Sequence, residues 1–100
     1  MTMFIIGNVM KEEIQAELKQ ILNMISDGDF FVSFHAELRM QERFITKMDI
    51  MHVGKFYTLT KKQEHGSWLI EGQDVDGDSL SVVCTLQGNV LIITVFRGDL

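Results

Sequence analysis

The sequence predicts an α+β fold, in which a helix, a short strand and two further helices precede a four-stranded antiparallel meander. Three observations carry this prediction. Apolar residues recur at helical spacing over 9–26, strong helix formers dominate 35–44, and four β-prone runs separated by Gly-containing turns fill the second half. A chain of 100 residues fits one domain, 1–100, with room for a single core. Proline is absent, and no linker, repeat or low-complexity stretch divides the chain.

The first helix is expected over Val9–Ser26. Ile14, Leu18, Ile21, Leu22 and Ile25 form its apolar stripe, opposite Glu12, Glu13, Glu17, Lys19 and Gln20. Asn8 suits its start, and Gly28 suits a left-handed stop. Phe30–Phe34 reads as a short strand, and His35–Phe44 as a helix with Ser33 or His35 near its first turn. Thr46 with Asp49 three residues later resembles a capping box, with Ile45 placed to staple against Ile50; this third helix ends near Gly54. The strands are expected at Phe56–Lys61, Ser67–Glu71, Leu80–Thr85 and Val90–Arg97. His65-Gly66, Asp76-Gly77 and Gly88-Asn89 supply the reversals between them. Val90–Phe96 is nearly all apolar, which predicts a central strand buried on both faces.

Charge is unevenly distributed. The net value is −5, yet residues 33–63 carry six basic and three acidic side chains between two acidic flanks. The total argues against a broad nucleic-acid surface, and the basic middle leaves room for a local anion site. The nine residues at the start are apolar but lack a basic flank and a cleavage site, and no run reaches the roughly 18 apolar residues of a membrane span. A lone cysteine, Cys84, suits a reducing compartment. The expectation is therefore a cytoplasmic protein with no membrane partner and no cofactor.

Chemistry concentrates in residues 33–43. At about 100° per residue, His35, Arg39, Glu42 and Arg43 share roughly 100° of helix circumference, beside an apolar stripe of Ala36, Met40 and Phe44. An imidazole transfers protons near neutral pH, and guanidiniums bind phosphate or developing negative charge. The same four residues equally suit a structural salt-bridge network, with Glu42 pairing to Arg39 and Arg43. Ser33 and Lys47 flank the cluster as candidate substrate-binding residues. Elsewhere the signals are weaker. Asp74-Val75-Asp76-Gly77-Asp78 has its Gly misplaced for a calcium loop and reads as a solvated turn. His35, His52 and His65 lack metal-ligand spacing, Cys84 and Trp68 read as core, and Lys61-Lys62 reads as a solvated strand end. No metal is expected.

The run Ser33-x-His35-Ala36-x-x-Arg39-Met40-x-Glu42-Arg43, followed by Phe44-Ile45, resembles the signature of the family termed domain of unknown function 4258. Trp68–Gly72 and Ile92–Phe96 resemble its strands, so the likeness spans 30–97 and leaves 1–29 as an N-terminal helical extension. Members of that family look similar in outline to small RelE/ParE-type toxins and related metal-independent ribonucleases. The resemblance implies attack of a ribose 2′-hydroxyl on the adjacent phosphate. His35 would act as general base or acid, and Arg39 and Arg43 would stabilise charge. RNA or another phosphate-bearing ligand is then the expected partner. The alternative is a non-catalytic interaction module that binds a protein or a second copy, with Met10, Met24, Met40, Met48 and Met51 as adaptable contacts.

Overall fold

The computed structural model describes the backbone of residues 2–98 and the side chains of residues 11–98. The elements are α1 (Thr2–Asp27), β1 (Phe30–Val32), α2 (Phe34–Arg43), α3 (Lys47–Lys55), β2 (Tyr57–Lys62), β3 (Trp68–Gln73), β4 (Ser79–Gln87) and β5 (Asn89–Phe96), with a single 3-10 turn at Glu64–Gly66. The α+β class holds. The helix α1 starts earlier than expected, so Asn8 lies within it rather than at its cap. Its end follows the sequence: Gly28 adopts φ 78°, its N–H bonds to Ile25 O at 3.1 Å, and Asp29 N bonds to Met24 O at 2.8 Å. That pair of bonds is the Schellman closure, which an L side chain at position 28 would strain.

The sheet has five strands in the order β1-β5-β4-β3-β2, not four. β2 to β5 form the expected antiparallel meander, while β1 adds a parallel edge to β5, pairing Phe30, Phe31 and Val32 with Val90, Leu91 and Ile92. Three residues are too few to show their pairing partner in sequence. The central strand is β4, and β5 lies one place toward the edge. Nor is β5 buried on both faces: Val90, Ile92 and Val95 face the core, whereas Leu91 is 38% exposed on the other side. Its apolar run reflects two different environments, a core and a cleft.

Ile21 and Ile25 of α1, Ala36 of α2, and Ile50 and Val53 of α3 are buried with Trp68, Ile70, Leu80, Val82, Cys84, Val90, Ile92 and Val95 of the sheet. α1 and α3 therefore cover one sheet face and leave the other open. Burial pushes the Cys84 thiol up to about 12, so this side chain is an inert core residue, as its strand context suggested. The capping box at Thr46 and Asp49 forms as expected, and Ile45 and Ile50 are both buried beside it. Met24 and Met40 pack on the core, Met48 is exposed, and the side chain of Met10 lies outside those described. Among the described residues, no helix is long and apolar enough to cross a membrane.

Two polar contacts join residues far apart in the sequence; one corrects the sequence reading and the other refines it. Lys62 is not a free strand end. Its Nζ donates to Glu17 Oε1 at 2.8 Å and lies 5.0 Å from the Trp68 ring centroid, while Trp68 Nε1 donates to the same oxygen at 2.9 Å. The turn after β3 is exposed over Val75–Asp78, as the sequence reading has it, but its first residue is not. Asp74 is 1% exposed, and its Oδ1 accepts from Asp76 N and Asp78 N, each at 2.9 Å. Arg97 Nη1 donates to Asp74 Oδ2 at 2.6 Å, which supplies the countercharge that a buried carboxylate needs.

Two stability predictions follow from these contacts. A Cβ on Gly54 of α3 would sit 2.8 Å from Ile25 Cγ2 and 2.9 Å from Ser26 N of α1. Gly54→Ala therefore overpacks the helix crossing, and a cost of about 1–3 kcal/mol should appear as a fall in Tm of about 4–8 °C per kcal/mol. The hydrogen bonds from Lys62 and Trp68 hold the Glu17 carboxyl below the usual carboxylate range, against a smaller opposing effect of burial. Folding lowers this value, so its contribution is complete above the unfolded carboxylate range and is lost as pH falls through the folded one. Urea midpoints should decline on acidification below about pH 5, and Glu17→Gln should flatten part of that decline.

Candidate functional site

The placement of α2 starts with Ser33. Ser33 N donates to Ile92 O at 2.9 Å, continuing the β1–β5 ladder for one residue beyond β1. The hydroxyl then does two things. It accepts from Ala36 N at 3.0 Å as the N-cap of α2, and it donates to Ile93 O at 2.7 Å. Ile93 is the extra residue of a bulge: Val83 faces Thr94 and Cys84 faces Ile92, so Ile93 has no partner across β4. One hydroxyl thus satisfies a helix-end donor and a bulge carbonyl together, which fixes the start of α2 against β5.

Beyond that anchor, α2 packs along β5 with Ala36 buried and Met40 against the core. It stops at Phe44, which adopts φ 55° with its N–H bonded to Met40 O, and Ile45 returns to the core. A left-handed phenylalanine that is 88% exposed is a backbone position held by its neighbours rather than by its own preference. With Ala36 and Met40 inward, the edge bearing His35, Arg39 and Arg43 turns toward the open sheet face.

There it forms one wall of a cleft of about 500 Å³. Leu69, Val83 and Thr94 make the floor as a single cross-strand row over β3, β4 and β5, with Phe96 beside them. Gln63 and Arg97 complete the lining. The carboxylate of Glu42 lies 3.3 Å from Arg39 Nη1, with side chains 58% and 44% exposed respectively, and Glu42 does not line the cleft. Arg43 and His35 are exposed and form no ion pair among the described residues. Burial raises the Asp74 carboxyl, but the Arg97 guanidinium and the N–H groups of Asp78 and Asp76 outweigh it and hold the group lowered and charged.

Of the sequence-predicted residues, His35, Arg39 and Arg43 converge, and Glu42 adjoins them through Arg39. Ser33 has its hydroxyl committed to the cap and the bulge. Lys47 begins α3 with its Nζ 5.3 Å from the Phe30 ring, outside the cleft lining. Gln63, Phe96 and Arg97 join the site without a sequence signal that linked them to α2. Arg97 is the sole Lys or Arg in residues 64–100, and only the fold brings it to the same cleft as α2. Among the described residues, no three His, Cys, Asp or Glu side chains cluster as metal ligands would.

Residues 32–97 match the family model described as Domain of unknown function (DUF4258). The chain belongs to this family. No curated protein and no solved structure matches it. The matched span takes in the whole cleft, from His35 to Arg97, and leaves α1 outside. Within this family member, α1 still contributes two fully buried isoleucines, Ile21 and Ile25, to the core beneath the site.

The double role of Ser33 has a measurable consequence. Ser33→Ala strips a cap and orphans the Ile93 carbonyl, and should cost about 1–3 kcal/mol in urea unfolding. Ser33→Thr retains the hydroxyl and should recover most of that loss.

Proposed function

We propose that this cleft binds a phosphate of RNA and that the protein is an RNA-binding module of the metal-independent ribonuclease type. The observation that supports this reading is the convergence of His35, Arg39, Arg43 and Arg97 on one open concavity in a protein of net charge −5. Exposed ion pairs contribute little to stability, so a salt-bridge role for Arg39 and Glu42 explains neither Arg43 nor the cleft. Guanidiniums bind phosphate oxygens in a planar, bidentate manner, and an imidazole beside them is placed for proton transfer. The reading includes a likeness in outline to RelE/ParE-type toxins.

In the proposed reaction the 2′-hydroxyl oxygen attacks the adjacent phosphorus. The O2′–P bond forms, the P–O5′ bond breaks, and a 2′,3′-cyclic phosphate and a 5′-hydroxyl result. His35 either takes the O2′ proton or supplies one to O5′, with water completing the exchange. Arg39 and Arg43 neutralise the charge that grows on the phosphorane oxygens.

A second reading draws support from the outward face of α2. Phe34 and Leu38, one turn apart, are 76% and 42% exposed, and Phe31 on β1 is also exposed. Such a ridge suits a protein partner or a second copy of the chain, with no turnover of RNA.

The experiment is cleavage of a labelled single-stranded RNA by the wild type and by His35→Ala. General acid–base catalysis contributes about 10²–10⁴-fold, so the variant should lose activity on that scale at an unchanged Tm. Unaltered cleavage in the variant, or an inactive wild type that forms a discrete protein complex, favours the interaction module instead.

A further inference from the structure

We infer that the cleft takes one internucleotide phosphodiester of a single strand, with the adjoining base laid on the apolar floor, and neither a nucleoside polyphosphate nor a duplex. This narrows the phosphate-binding reading above and rests on it.

The first argument is charge. Three guanidiniums line the cleft, but two already carry a carboxylate: Arg97 is paired with the buried Asp74 at 2.6 Å, and Arg39 with Glu42 at 3.3 Å. The cation without a carboxylate partner among the described residues is therefore Arg43, while Arg39 is held only by an exposed one. A phosphodiester carries a single negative charge and matches that one cation. A terminal phosphate monoester alone carries about −1.5 to −2 near neutral pH, and a polyphosphate chain carries more, which leaves unmatched charge against an acidic protein.

The second argument is the floor. A site for phosphate alone has no use for the apolar surface of Leu69, Val83 and Phe96 beside the cations. A base has two π-faces that rest on such a surface, and only an unpaired, unstacked base offers them. A volume of about 500 Å³ is the size of a small-molecule pocket and suits one nucleotide rather than a run of them. A duplex presents a charge about every 1.7 Å and would bring many further phosphates up to a protein of net charge −5.

The test is fluorescence anisotropy on the full chain across a salt series. The probes are a labelled 2′-O-methyl pentauridylate (which cannot be cleaved), a labelled 16-base-pair RNA duplex, and unlabelled UTP and inorganic phosphate as competitors. The pentanucleotide should bind at least about tenfold tighter than UTP and the duplex. Its log K against log salt should slope about −0.7 to −1.4, the value for one or two neutralised phosphates on a single strand. Phe96→Ala should weaken the pentanucleotide about fivefold or more without altering the competition by phosphate. UTP or duplex binding as tight as the pentanucleotide, or a much steeper slope, overturns this inference while leaving a phosphate site in place. Failure of every probe, phosphate included, overturns the phosphate-binding reading itself.

Discussion

The hydroxyl of Ser33 is the constraint on which the site depends. A bulge leaves the Ile93 carbonyl without a ladder partner, and a helix start leaves N–H groups without acceptors. Both deficits meet at one side chain that donates once and accepts once. The bulge therefore has a function beyond bending a strand: it exposes the carbonyl to which the helix is fastened. Everything the helix carries outward, from His35 to Arg43, takes its position from that point.

A second polar anchor stands on the opposite side of the cleft. Asp74 is buried, receives two backbone N–H groups from its own turn, and grips Arg97. Its rigidity is lent to a guanidinium that is itself only partly buried. The two walls differ in kind as a result. Arg97 is held by a buried carboxylate, whereas Arg39 meets an exposed one and Arg43 meets none among the described residues. The cleft thus has one cation fixed by a buried partner on the strand side and two exposed ones on the helix side.

The helices were legible because their signals are local. A 3.6-residue period, a Thr46–Asp49 capping box and Gly28 at a helix end each depend on a few adjacent residues. The cationic edge of α2 was legible for the same reason, since helical geometry alone places His35, Arg39 and Arg43 together. What the chain hid is non-local. The parallel pairing of Phe30–Val32 with Val90–Ile92 joins segments about sixty residues apart, and three residues cannot announce such a partner. Lys62 and Asp74 looked solvated because lone charges in strand ends and turns usually are. Their partners Glu17 and Arg97 come from distant elements. Phe96 and Arg97 were invisible as site residues until the fold brought them to the cleft beside α2.

The sheet order also bears on how the chain assembles. β5, the last strand in sequence, is not an edge: it inserts between β1 and β4 and receives α2 along its length. Until it arrives, β1 has no neighbour, the Ser33 hydroxyl has no carbonyl to meet, and the floor of the cleft lacks a third of its width. Closing so long a loop costs entropy before any contact returns it. The hairpin of β3 and β4 is local in sequence, whereas the cleft is complete only with β5 in place, as is the hydrophobic interior. A partly folded chain would carry the cations of α2 with nowhere to aim them.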